Sequence, residues 1–294
     1  MMNNKDDLNK NNYLIIKHGA LGDIIQGLDA YESLRASFPS AKLTLLTSST
    51  FASLVSLMPY FDKVIIDDRP PIYNVKKLFQ IRKHFQKNWT AVIDLQCSKR
   101  TSLYFNWFYK KTGGKWYGTV QGCSHPMPNF KDFNNRDRMM EAVKLAGASE
   151  FKANLAWLTN KQKVPFQLHK PYCVIIPGSS SKKPSKRWSA EKYDELSIQI
   201  YKLGIYPYLV GTKTEVSIAK QISMLNKAAM SLVDKTNVVE LAQICADAKF
   251  VVGNDTGPTF LAAGVGVPTL MLMGADTNPV MSAPIGDAAG YIFK

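Results

Sequence analysis

Residues 13–38 read YLIIKHGALGDIIQGLDAYESLRASF, and this stretch decides the fold class. YLIIK (13–17) is a short apolar run of strand length. His18-Gly19-Ala20-Leu21-Gly22-Asp23 then turns the chain. After the turn, Ile24, Ile25, Leu28, Tyr31, Leu34 and Phe38 recur at helical spacing. Strand, glycine turn and helix thus follow one another directly, with Asp23 near the helix start. The same alternation continues outward. LTLLT (43–47), KVIID (63–67) and TAVIDL (90–95) read as strands, and residues 50–58 and 74–87 as helices. Strands and helices alternating at these lengths imply a parallel sheet with helices on its faces, an α/β fold.

The pattern stops and restarts once. TNKQKVPFQLHKP (159–171) is polar, carries two prolines and has no periodicity. It places a linker at 161–171 between a domain of residues 13–160 and one of residues 172–294. Residues 1–12 read as a disordered lead without the apolar run of a signal peptide. In the second half, YCVIIP (172–177), YPYLVG (206–211), KFVVG (249–253) and VPTLML (267–272) read as strands. Helices are expected over 189–203, 213–226 and 237–246, and after NDTGP. Two α/β units of similar size result, as a 294-residue chain allows.

Composition narrows the function classes. The apolar fraction is 46% and the charged fraction 20%, which argues against long disorder. No stretch approaches 18 uncharged apolar residues, so no spanning helix is expected. Cys97, Cys123, Cys173 and Cys245 form no CxxC pair, which fits a reducing cytoplasmic compartment better than a zinc site or disulfide framework. Cys173 and Cys245 sit in apolar runs and are expected to be buried. The four histidines show no ligand spacing, so neither metal nor cofactor is expected.

The net charge is +14, and residues 76–115 hold ten Lys or Arg against Asp94 alone. Such a patch concentrates an anionic partner: nucleic acid, anionic lipid or an acidic sugar. A solvated basic surface explains it equally. Within it, LYFNWFYKKTGGKWY (103–117) interleaves seven aromatics with three lysines. A helix packing its aromatic face into the core is preferred there over base stacking or a membrane surface.

Four segments could carry chemistry. The turn after the first strand lies where open α/β sheets bind ligands. It lacks GxGxxG, and no acidic residue ends the second strand, which argues against a dinucleotide fold. Asp23 has two readings there, a group facing a ligand or a helix cap. Pro177-Gly178-Ser179-Ser180-Ser181, followed by Lys182, Lys183, Lys186, Arg187 and Trp188, suits a phosphate, because hydroxyls donate and cations supply charge; a flexible solvated loop explains it equally. Gly253-Asn254-Asp255-Thr256-Gly257 stands between a strand and an apolar helix, an arrangement that favours a diphosphate over ordinary capping. Glu215 follows Gly211-Thr212-Lys213-Thr214; it suits ribose hydroxyls or, more simply, complements a helix dipole.

These segments, in this order, resemble the bacterial heptosyltransferases of lipopolysaccharide synthesis, glycosyltransferase family 9. The carrying residues are KHGALGDIIQGLDA, PGSSSKKPSKRWSAEKYDEL and VVGNDTGPTFLAAGVGVPTLMLMG. The resemblance implies a GT-B architecture, two Rossmann-like domains with parallel sheets facing a cleft. It implies metal-independent, inverting transfer of a heptose or related sugar from an ADP-sugar to an anionic, lipid-linked core precursor. The enzyme would be cytoplasmic, with room for peripheral association at the inner membrane and no nucleic-acid partner. By the same resemblance Asp23 is the general base and Lys186 neutralises the diphosphate. Ser179 and Ser180 supply hydroxyl contacts, Asp255, Thr256 and Gly257 form the donor-binding turn, and Glu215 lies near the ribose. Phe260 departs from the family, where many members carry His, and little chain follows Gly274 for a returning helix. Both departures motivate an alternative, a catalytically impaired GT-B protein that binds a nucleotide sugar. A nucleic-acid-binding protein and a sugar epimerase or dehydrogenase are the remaining rivals; the absent GxGxxG counts against the last.

Overall fold

A computed structural model describes residues 11–127, 133–159, 164–178, 187–225, 228–284 and 286–293. The chain forms two compact units, Met1–Ala153 and Asn154–Lys294. Of the expected linker, residues 161–163 lie outside the described residues, as do residues 1–10 of the expected lead. The rest of the linker falls in the second unit, where the His169 N–H donates to the Tyr208 hydroxyl at 3.0 Å.

In the first unit the strands are β1 (Asn12–Ile16), β2 (Lys42–Thr47), β3 (Lys63–Ile66), β4 (Ala91–Asp94), β5 (Lys115–Gly118) and β6 (His125–Pro126). They pair in the order β3-β2-β1-β4-β5-β6, all parallel. The helices are α1 (Leu21–Gln26), α2 (Leu28–Ser37), α3 (Ala52–Ser56), α4 (Val75–Phe85), α5 (Lys99–Tyr104) and α6 (Asn135–Leu145). The central strands are buried on both faces: Leu14, Ile15 and Ile16 are fully covered, as are Val92 and Ile93. That burial is why they read as continuous apolar runs rather than alternating ones.

The helix expected after the first strand is two helices, α1 and α2, meeting at Gly27. A Cβ at Gly27 would fall 2.5 Å from the Tyr31 hydroxyl, so only glycine lets the fully buried Tyr31 fold back against the joint. The aromatic run also divides. Tyr104, Phe105 and Tyr109 are buried on helical turns, but Trp116 and Tyr117 are buried on β5. The aromatic run therefore packs into the core as its sequence implies, but its last part is a strand and not a helix.

The second unit repeats the plan. Its strands are β7 (Tyr172–Ile176), β8 (Tyr206–Leu209), β9 (Met230–Ser231), β10 (Val251–Asn254), β11 (Thr269–Met273) and β12 (Ala289–Phe293). Its helices are α7 (Ala156–Thr159), α8 (Ala190–Lys202), α9 (Val216–Leu225), α10 (Val238–Ala246), α11 (Gly257–Gly264) and α12 (Pro279–Ser282). The sheet runs β12-β11-β10-β7-β8-β9, again parallel throughout. Counted within its own unit, each sheet has the strand order 3-2-1-4-5-6 of the doubly wound Rossmann fold. Both expected buried thiols are buried, and desolvation pushes Cys173 and Cys245 up to about 12.

β10 and β7 lie unusually close at one point. A Cβ at Gly253 would stand 2.5 Å from Thr259 Oγ1 and 2.7 Å from Ile176 Cβ. The bare backbone there lets Thr259 Oγ1 donate to the Asn254 carbonyl at 2.7 Å, which fixes the start of α11 against the sheet.

Candidate active site

In a doubly wound sheet the connections leave in opposite directions at the strand where the order reverses, opening a crevice at the strands' carboxyl ends. In the first unit this point lies between β1 and β4. The loops that follow them are joined there: the His18 N–H donates to Gln96 Oε1 at 2.9 Å, and Lys17 Nζ donates to the Leu95 carbonyl at 3.3 Å. Asp23, on α1, opens onto the same loop. Its Oδ2 accepts from the Ala20 N–H at 3.0 Å and its Oδ1 from Asn135 Nδ2 at 2.9 Å. Asn135 in turn accepts from Arg138 Nη2 at 2.6 Å. Asp23 therefore is a cap, yet a carboxylate offers about four acceptor positions and only two are used by these bonds. Asp23 remains partly exposed.

Lys17 is almost fully buried beside this group. Desolvation pushes its ammonium down to about 8, against the attraction of Asp23, with Arg138 adding to the depression. Between pH 8 and the ordinary value of 10.5 the unfolded chain holds a proton that the native chain has released. Stability contributed by this residue therefore rises with pH across that window. Urea midpoints of the wild type should gain on those of Lys17→Met between pH 7 and pH 10. Midpoints that stay parallel would place the ammonium in water.

A buried network that sequence reasoning missed lies under the loop. His18 Nε2 and Asp67 Oδ2 are 2.7 Å apart, both side chains fully buried, and the Tyr104 hydroxyl donates to the same oxygen at 2.8 Å. Burial alone would raise Asp67, but the bonds from His18, Tyr104 and the Arg69 N–H outweigh it and hold the carboxyl below its usual range. Asp94, at the end of β4, is the opposite case. Its complete burial raises it in spite of bonds from Thr101 and the Cys97 and Gln96 N–H groups.

In the second unit the order reverses between β7 and β10, and one side chain spans the gap. Asn254 is fully buried at the end of β10. Its Nδ2 donates to the Pro177 carbonyl at 2.8 Å and the Gly178 carbonyl at 3.3 Å. Its Oδ1 accepts from the Tyr193 hydroxyl at 2.9 Å and the Trp188 N–H at 3.3 Å. One amide thus holds the chain where it enters the Ser/Lys segment and where it leaves. Ser179, Ser180 and Lys186 lie outside the described residues.

Thr256 is the N-cap of α11, but its hydroxyl caps nothing; Oγ1 is buried without a hydrogen-bond partner among the described residues. Pro258 has no N–H, and the Thr259 and Phe260 N–H groups donate back to the Thr256 carbonyl at 3.1 and 3.2 Å, so the Gly257 N–H is the donor of this helix N-terminus that stands beside the unspent hydroxyl. Asp255 Oδ2 accepts from Thr277 Oγ1 at 3.1 Å. Glu215 is 7% exposed; its Oε2 accepts from the Thr212 N–H (2.8 Å) and hydroxyl (2.7 Å), and its Oε1 from Thr214 Oγ1 (2.7 Å). It packs against Gly178 and Gly211, so it completes a capping box and lines the end of β7 at once. Phe260 is buried within α11. Among the described residues, no group of three or more His, Cys, Asp or Glu could hold a metal ion.

The model of glycosyltransferase family 9 (heptosyltransferase) matches residues 138–293, more than half of the chain. The chain belongs to glycosyltransferase family 9. It is a glycosyltransferase by that membership, with the expected α/β architecture. A lipooligosaccharide heptosyltransferase 2 from Haemophilus ducreyi is 22% identical over 95% of this chain and 87% of the relative. Among solved structures, a family 9 member from Veillonella parvula superposes with a TM-score of 0.80 at 18% identity, covering 97% of this chain and 86% of that one. The E. coli heptosyltransferase WaaC with ADP superposes with a TM-score of 0.76 at 23% identity, covering 96% and 93%. Those likenesses share the fold of this family 9 chain.

Proposed function

We propose that this family 9 chain transfers a heptose, or a closely related sugar, from an ADP-sugar to an anionic, lipid-linked lipopolysaccharide core precursor, with inversion and without a catalytic metal. The observation that carries the reading is the buried, unpartnered Thr256 hydroxyl at the N-terminus of α11. A buried donor left unsatisfied is costly, and a diphosphate oxygen would satisfy it together with the adjacent Gly257 N–H. Ser179, Ser180 and Lys186 add hydroxyls and charge from the segment that Asn254 anchors. Asp255 and Gly257 complete the turn, and Glu215 stands near the ribose. In the first unit, Asp23 takes the proton from the acceptor hydroxyl. Direct displacement needs such a base on the acceptor side and positive charge on the departing diphosphate. A membrane-borne acceptor implies work at the inner face of the inner membrane.

A thermal-shift panel of ADP, UDP, GDP, CMP and NAD tests the donor. A ligand at 100 times its dissociation constant stabilises the native state by about 2.7 kcal/mol if it binds only that state. ADP should give the largest shift, and a dominant UDP or NAD response would sink the assignment. Within the same assay, Lys186→Ala should weaken ADP by roughly 10- to 150-fold and leave adenosine nearly unchanged, as expected for one charge-assisted bond to phosphate. Equal losses for both ligands would mean a folding defect, and no loss for either would remove Lys186 from the site.

A further inference from the structure

The first unit carries a surface that the proposed reaction does not use. Between Asp68 and Asp94 the chain has no acidic residue, and it carries Arg69, Lys76, Lys77, Arg82, Lys83 and Lys87. α4 occupies the middle of this stretch. Leu78, Ile81 and Phe85 bury one face of α4 in the core. Its remaining apolar side chains have no such cover. Val75 is 71% exposed and Phe79 52% exposed, and Ile72 and Tyr73, just before the helix, are 57% and 83% exposed. Val75 and Phe79 are four residues apart, so they stand one above the other on the helix. Lys83 Nζ lies 5.3 Å from the centre of the Phe79 ring, so cation and aromatic share one face.

We propose that Ile72, Tyr73, Val75 and Phe79, with the cations of α4, form a docking surface for an anionic lipid bilayer. Two independent features select that occupant. The cations complement a negatively charged headgroup layer and would be drawn to it over roughly a Debye length. The four exposed apolar side chains gain nothing from a soluble polyanion, whereas the boundary between headgroups and acyl chains removes them from water. At eleven residues α4 is too short to span a bilayer, and no helix among the described residues is long and apolar enough to do so. The helix therefore lies on the surface, its Leu78, Ile81 and Phe85 face still held by the core. This deepens the reading of a lipid-borne acceptor by naming the element that meets the lipid.

The test keeps docking separate from transfer. The full chain, without donor or acceptor, is sedimented with vesicles of phosphatidylethanolamine and phosphatidylglycerol and with vesicles of phosphatidylcholine alone. Binding should be at least ~10-fold tighter to the anionic vesicles and should weaken with salt. Tyr73→Ser with Phe79→Ser, and separately Lys76→Ser with Lys77→Ser and Lys83→Ser, should each lower it by ~10-fold or more. All five side chains are exposed, so melting temperatures and ADP binding should stay at wild-type values, which distinguishes this proposal's failure from failure of the donor reading. Equal binding to both vesicle types would overturn the proposal. So would vesicle binding indifferent to the Tyr73 and Phe79 changes. Duplex DNA binding that depends on the lysines but not on those two residues would assign the surface to nucleic acid instead.

Discussion

Asp23→Asn should leave ADP binding near wild type and cut sugar transfer by about 10²–10⁴-fold, the usual cost of losing a general base. The amide cannot take the acceptor proton. The geometry adds a requirement for reading that result. Both carboxylate oxygens accept hydrogen bonds, one from the Ala20 N–H and one from Asn135 Nδ2. An amide has one acceptor oxygen, so in Asp23→Asn one of those donors meets an NH2 group. Part of any loss would then come from a displaced loop. Asn135→Ala is the control, because it breaks the Asn135 contact and keeps the carboxylate. If Asn135→Ala loses as much transfer as Asp23→Asn, Asp23 acts as a cap and not as a base. Near-normal turnover in Asp23→Asn would lead to the same conclusion.

The second large effect is expected at Asn254. Asn254→Leu keeps most of the volume and removes all four hydrogen bonds. The Trp188 N–H, the Tyr193 hydroxyl and the carbonyls of Pro177 and Gly178 each lose a buried partner. A buried polar group left unsatisfied costs about 1–3 kcal/mol, so a total loss of about 3 kcal/mol or more is expected. Because the same amide holds both ends of the Ser/Lys segment, ADP affinity should fall with stability. Lys186→Ala, by contrast, should lower affinity while leaving stability unchanged. Urea denaturation and ADP titration of the two variants separate anchoring from contact. An Asn254→Leu protein within 0.5 kcal/mol of wild type would mean that the amide is not the anchor, since that is the ordinary range for a surface change.

The central strands were legible because burial on both faces leaves uninterrupted apolar runs such as YLIIK and YCVII. The edges were not. β6 and β9 are two residues each, too short for any periodicity, and β12, though its AGYIF is apolar, is a largely exposed edge strand without the alternation or flanking pattern that marks the others. The split at Gly27 was hidden because Ile24, Ile25, Leu28 and Tyr31 keep helical spacing across the joint. In the site, the glycine turn and GNDTG stood out because local sequence carries them. His18, Asp67 and Tyr104 did not, since Asp67 lies 49 residues from His18 and 37 from Tyr104, and only the sheet order brings them together. Asn254 lay inside a motif that pointed to ligand contact. Its actual work is structural, across 76 and 77 residues to Gly178 and Pro177.

The repeated strand order has a consequence for how such a protein can diversify. Each sheet is complete within its own stretch of chain, on either side of the Ala153–Asn154 junction, and each carries its own reversal point. Loops at one reversal point can be rewritten without disturbing the register of the other sheet. Recombination at that junction would exchange whole halves rather than cut a sheet. Specificities that reside in different halves could then be inherited separately, and new pairings could arise by shuffling as well as by point mutation.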